Sequence, residues 1–306
     1  MNKRCLIVAS VFGLLAGPAW ADGGSGGGGC SGLPGWGALK SALSGSITPS
    51  NGANGGLGFN MWGVIVDTSG IVCAVAYSGP YYTSQWLGSR VIAAQKANTA
   101  NAFSLTNSPA GSLVGGKGLA LSTANLFTAV QPGGSLYGLQ HSNPVDTVVA
   151  YGNSEGGQGN APSGGSSFGT TSDPMVGRRV GGVNVFGGGL GLYRGGVKVG
   201  AVGVSGDTSC TDHMVAWRTR HALGYDQFGS GVTGVAAAFA GDTSHPDNII
   251  FDIVANPDGT GGTGQAPTGT GGVGQSAVTG FGHPKCANNP PSSGTPPTAS
   301  GLPAVQ

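Results

Sequence analysis

The chain has 306 residues, with 13 lysines and arginines against 12 aspartates and glutamates, and 63 glycines. A near-neutral chain with only 8% charged residues lacks the basic surface that nucleic acid or an anionic membrane requires. Glycine buries no side chain and loses most backbone entropy on folding, so much of this length cannot be packed core.

Lys3 and Arg4 precede an apolar run from Cys5 to Ala16, and Ala19-Trp20-Ala21 supplies a small-x-small cleavage pattern. Residues 1–21 therefore read as a secretory signal cut before Asp22. The run is shorter than the ~20 apolar residues that span a bilayer. The expected product is periplasmic or secreted. Cys30, Cys73, Cys210 and Cys286 remain after cleavage, and an even set in an exported chain favours two disulfides. Spacing does not choose among the pairings. Cys210–Cys286, which would clip the tail to the core, and Cys30–Cys73 are preferred. No pair has the C-x-x-C spacing of a zinc site.

Residues 22–30 form a Gly/Ser tether, and a short helix is expected at Trp36–Leu43. Met61 to Tyr77 predicts a hairpin: Val64-Ile65-Val66, the turn Asp67-Thr68-Ser69-Gly70, then an apolar strand from Ile71. Apolar residues near a 3.6-residue period predict a helix over 84–103. A loop follows at 107–118. Ser122 or Thr123 then caps a second helix that Pro132-Gly133-Gly134 ends. Asp146–Tyr151 reads as a strand and Gly152–Ser172 as a Gly/Ser insertion. Three β-like runs follow, at 183–186, 190–193 and 197–204. Arg194-Gly195-Gly196 makes a hairpin turn between the last two. Thr211–Leu223 predicts a closing helix, capped by Thr211 and stopped by Gly224. Asn248–Val254 is a further strand. Beyond Pro257 the composition is that of a low-complexity tail, with an anchor near Phe281–Cys286. The expected fold is α/β (α+β): one domain over 31–256, core 61–224, built on a central, mainly antiparallel sheet flanked by helices, profilin-like or PAS-like.

Three stretches carry a resemblance. They are the strand–turn–strand Val64–Val72, the helix Ala93-Ala94-Gln95-Lys96-Ala97-Asn98-Thr99-Ala100-Asn101-Ala102-Phe103, and Gly187-Gly188-Gly189-Leu190 with Val199–Gly206 and Asp212. In order and spacing they resemble the GlcG/HbpS-like haem-binding proteins, relatives of the C-terminal domain of PduO-type corrinoid adenosyltransferases. The resemblance implies a helix-covered antiparallel sheet, homo-oligomers, and haem or a related tetrapyrrole as ligand. Some members are thought to ligate haem through a histidine in the N-terminal helix. This chain has no histidine before His141, and Trp36 and Lys40 stand in that helix.

A haem iron needs an axial donor and an apolar pocket. His213, Trp217 and His221 recur at four-residue steps on one helix face, and an aromatic between two imidazoles suits a flat ligand. The two imidazoles lie ~12 Å apart along the axis, so one metal ion cannot take both; His213 is the candidate for the iron, since the helix dipole already favours a histidine in the last turn, where His221 stands. His141, in a loop beside the sheet, is the other candidate for the iron, and Arg218 is a candidate partner for a propionate. Gly152-Asn153-Ser154-Glu155-Gly156 imitates a nucleophile elbow but runs on into a glycine loop. Gly111–Lys117 imitates a phosphate loop, but Gly118 replaces its Ser/Thr. The expectation is an exported haem- or tetrapyrrole-binding protein. A haem-degrading enzyme and a ligand-free, partner-binding module of the same fold are the alternatives.

Overall fold

A strand that is apolar at nearly every position must be covered on both faces. The computed structural model describes residues 29–49, 54–152, 165–251, 253–255, 262–264, 280–284 and 301–306. Its first elements are α1 (Trp36–Ile47), β1 (Trp62–Asp67), β2 (Val72–Tyr77), α2 (Ser89–Phe103) and β3 (Gly118–Ala120). The short helices α3 (Leu139–Ser142) and α4 (Thr147–Tyr151) follow. Next come β4 (Gly189–Arg194), β5 (Val197–Ser205) and α5 (Ser209–Ala222). The last are β6 (Val232–Gly234), α6 (Val235–Ala240), β7 (Ile253–Ala255) and β8 (Gly262–Gly264). The central sheet has the order β2-β1-β5-β4, antiparallel throughout. Two small accessory pairs, parallel β3–β6 and antiparallel β7–β8, lie outside it. The fold is mixed α/β, with helices on both faces of an antiparallel sheet.

The period of two along each strand decides which helix goes where. Leu190, Leu192, Val202 and Val204 point to α1 and α5, where they pack with Leu39, Leu43, Met214 and Trp217. The intervening positions are small and face α2, itself lined with Ala93, Ala94, Ala97 and Ala100. A Cβ on Gly203 would lie 2.0 Å from the Ala93 carbonyl oxygen, and one on Gly189 2.4 Å from that of Lys96. The glycines thus let α2 lie directly on the sheet. At the β4–β5 turn Gly195 and Gly196 both have positive φ (55° and 78°), which is why the expected hairpin forms at that dipeptide.

Other expectations change. The run 146–151 is not a strand but α4, because Asp146 Oδ1 accepts from the N–H groups of Val148 and Val149, both at 3.0 Å. That cap outweighs the β-preference of two valines. The helix expected after Ser122 is two short 3₁₀ turns, Thr123–Leu126 and Thr128–Val130, the first started by a Ser122–Asn125 capping box. The run 183–186 joins no named strand, and Asn184 N–H is held instead by Thr99 Oγ1 at 3.0 Å. The helix read from residue 84 starts at Ser89, since Gln85 is spent on the carbonyls of Tyr81 and Tyr82. Thr208, not Thr211, caps α5. Most of the tail lies outside the described residues, yet 301–306 is docked on the core: Trp217 Nε1 donates to the Pro303 carbonyl at 2.9 Å, and Phe228 N–H to that of Gln306 at 2.6 Å.

Candidate functional site: a cleft between α1 and α5

The helix α5 is buried along nearly its whole length, from Cys210 to Arg220. Charges placed there must be paired. Asp212 Oδ2 meets Lys96 Nζ at 2.6 Å, and its Oδ1 accepts from Gly206 and Asp207 N–H at 3.0 and 2.8 Å. Lys96 Nζ also sits 4.1 Å from the centre of the Phe186 ring. Burial pushes the Asp212 carboxyl up to about 6, while Lys96 and the two N–H groups oppose the shift. Arg220 grips Asp247 with two bonds, at 2.6 and 2.9 Å. Lys96 and Asp212, both within the resemblance stretches, thus form a fully buried pair under the glycine turn at 187–189.

Only the last turn of α5 emerges. There a cleft of about 710 Å³ opens between α5 and α1, within the ~300–1,000 Å³ typical of small-molecule sites. Leu39 and Leu43 of α1 face the sheet, which turns Ala38, Ala42 and Gly45 to the cleft as a low wall. Leu223 and Pro303 line it too. The disulfide Cys30–Cys73 ties the start of this wall to β2, and Lys40 Nζ donates to the Tyr77 carbonyl at 2.7 Å.

His221 lines the cleft with its side chain about one-third exposed (35%). Its Nδ1 lies 2.6 Å from Asp226 Oδ2. A carboxylate accepts only, so Nδ1 carries the hydrogen of this bond and Nε2 is the remaining ring nitrogen. Nε2 makes no hydrogen bond within the described residues. Asp226 is 1% exposed, and its Oδ1 has no partner among the described residues. This carboxylate–imidazole arrangement is the one that orients histidines toward metals. Arg218 also lines the cleft, fixed by bonds from Nε to Asn54 Oδ1 at 3.0 Å and from Nη1 to the Gly301 carbonyl at 2.9 Å.

The other candidates lie elsewhere. His213 and Trp217 share a face with His221, but both are fully buried and neither lines the cleft. Among the described residues no hydrogen bond of good geometry reaches either ring nitrogen of His213, although the Asn248 side chain lies beside it. Burial, with Arg220 and His283 nearby, pushes its pKa down to about 3. His141 is exposed on α3, away from the cleft. Cys210 is disulfide-bonded; its expected partner, Cys286, lies outside the described residues. Among the described residues no group of three metal-ligating side chains occurs, and no helix is long and apolar enough to cross a membrane.

Sequence reasoning missed Asp226 as the partner of His221. The available signal was Gly224, which stops α5 and returns the chain over the helix end. It also missed His283, which is 2% exposed, with Nε2 2.8 Å from Ser209 Oγ and its pKa pushed down to about 4 by burial.

No family model matches the chain, and no curated protein proved similar. Two solved structures are similar to it. Klebsiella pneumoniae protein ORFY, of family DUF336, is 21% identical over 62% of this chain and 90% of its own, with a TM-score of 0.36. A PduOC:heme complex is 23% identical over 60% of this chain and 88% of its own, with a TM-score of 0.37. At these scores neither likeness bears on the role of any residue, and the fold assignment rests on the observed topology of this chain.

Proposed function

We propose that this chain is an exported binding protein for haem or a related tetrapyrrole, held in the α1–α5 cleft with His221 as axial donor. One observation carries the reading: a histidine at a cleft of mixed polar and apolar lining, its Nδ1 fixed by a buried carboxylate and its Nε2 left available. A bound haem would supply an open Lewis-acid iron. The chain's own contribution is to orient Nε2, to offer a low wall at Ala38, Ala42 and Gly45, and to exclude water with Leu223 and Pro303. The sequence resemblance supports the ligand class. The signal-like start and the Cys30–Cys73 disulfide support export.

The test is a haemin titration of the oxidised, exported protein, followed in the Soret region. Wild type gives a saturable one-to-one band. His221→Ala weakens binding at least tenfold, Ala42→Phe blocks it by filling the cleft, and His141→Ala changes nothing. A His221→Ala titration like that of wild type removes His221 as the ligand. A featureless titration of folded wild type removes the haem reading.

A further inference from the structure

The carboxylate of Asp226 is buried against the imidazole of His221. It is 1% exposed, and among the described residues Oδ1 has no partner and the only side chain bonded to Oδ2 is His221. Among the described residues no lysine or arginine pairs with it; Arg220 holds Asp247. A buried carboxylate without a compensating positive charge is strongly unfavourable. The nearest place for that charge is the far nitrogen of the same imidazole, at the cleft.

We infer that Asp226 makes the His221 site selective for the ferric over the ferrous state of a tetrapyrrole iron; this rests on the function proposed above. Two deprotonated pyrrole nitrogens cancel two iron charges. The ferric core therefore keeps one positive charge and the ferrous core none. Only the ferric core answers the buried carboxylate. The Nδ1–H···Oδ2 bond also shifts electron density toward Nε2, which strengthens donation to the more electron-poor iron. Asp226 touches neither iron nor macrocycle in this scheme; it is a positioning residue acting through His221.

The experiment compares haemin with haem kept ferrous by dithionite, together with the midpoint potential of the bound haem. Wild type is expected to hold haemin at least tenfold tighter than ferrous haem. Asp226→Asn, which keeps the shape and removes the charge, is expected to lose that tenfold preference. Its potential then rises by about 59 mV, the one-electron equivalent of tenfold. Asp226→Glu restores much of the difference. In the ligand-free protein, ¹⁵N NMR of the His221 ring should show the hydrogen on Nδ1. Equal ferric and ferrous affinities in wild type overturn the inference even if no variant folds. So does an Asp226→Asn potential equal to that of wild type, or a hydrogen found on Nε2. If haem binds with His221 dispensable, or does not bind at all, the proposed function falls and this inference falls with it.

Discussion

Lys96 is among the largest fully buried side chains of the protein, and its charge is met by one carboxylate, Asp212. Replacing Lys96 with Met should cost about 3–5 kcal/mol, because Asp212 is left buried without its cation. The double variant Lys96→Met/Asp212→Asn should recover part of that loss, because the amide oxygen still accepts from the N–H groups of Gly206 and Asp207. Urea denaturation of the single and double variants checks this, and a single variant as stable as wild type would refute it. At this scale the sequence was partly legible. It set Lys96 and Asp212 within the stretches that carry the family resemblance, and it put His213, Trp217 and His221 on one helix face with His213, not His221, as the iron candidate. Periodicity cannot say which part of a helix face is covered. The packing of 301–306 and of Asp247–Ile250 against α5 buries His213 and Trp217 and leaves His221 at the edge. The Asp226 contact depends on the chain reversal after Gly224, which spacing alone does not reveal.

Among the elements, α1 is anchored by the Cys30–Cys73 disulfide and by Trp36 and Lys40, whose side-chain nitrogens donate to the carbonyls of Gly169 and Tyr77. It forms one wall of the cleft, and residues 50–53 after it lie outside the described structure. Cys30–Cys73 closes 43 residues of sequence separation around it. In the chain-entropy description a loop of this size contributes about 4 kcal/mol. The variant Cys30→Ser/Cys73→Ser should therefore lose up to about 4 kcal/mol in denaturant, and its haemin affinity should fall as the wall loosens. A fall in stability without any change in affinity would show that the wall keeps its place unaided. The two hairpins were legible because turn chemistry and apolar runs coincide. α4 was not, because one capping aspartate reverses the preference of the valines that follow it. The glycine-on-alanine contact of α2 with the sheet was visible as composition, but its geometry was not.

For the molecule as a whole, the buried imidazoles set a lower pH limit. His213 and His283 are held neutral, at about 3 and about 4, chiefly by burial. In the unfolded chain both take a proton below about 6.5. The unfolded state then binds more protons, so stability is full above 6.5 and falls as pH drops toward the folded values. By pH 5 the loss is about 2 kcal/mol for each histidine. The raised Asp212 carboxyl works in the opposite sense, because the folded state takes its proton first, so thermal melts between pH 7.5 and 5 should show a net drop in Tm that His283→Phe reduces; a His283→Phe profile parallel to that of wild type would contradict the assignment. The fold class was legible from the order of strands and helices. The docking of residues 301–306 was not, since a Gly/Thr/Pro-rich stretch carries no periodic signal. That docking has a consequence for how the protein can vary. Gly301, Pro303 and Gln306 meet Arg218, Trp217 and Phe228 through their carbonyl oxygens, so the docking depends more on the path of this backbone than on the identity of its exposed side chains. A substitution at exposed Ala304 should therefore be accepted, whereas an insertion between Gly301 and Gln306 that shifts those carbonyls should not.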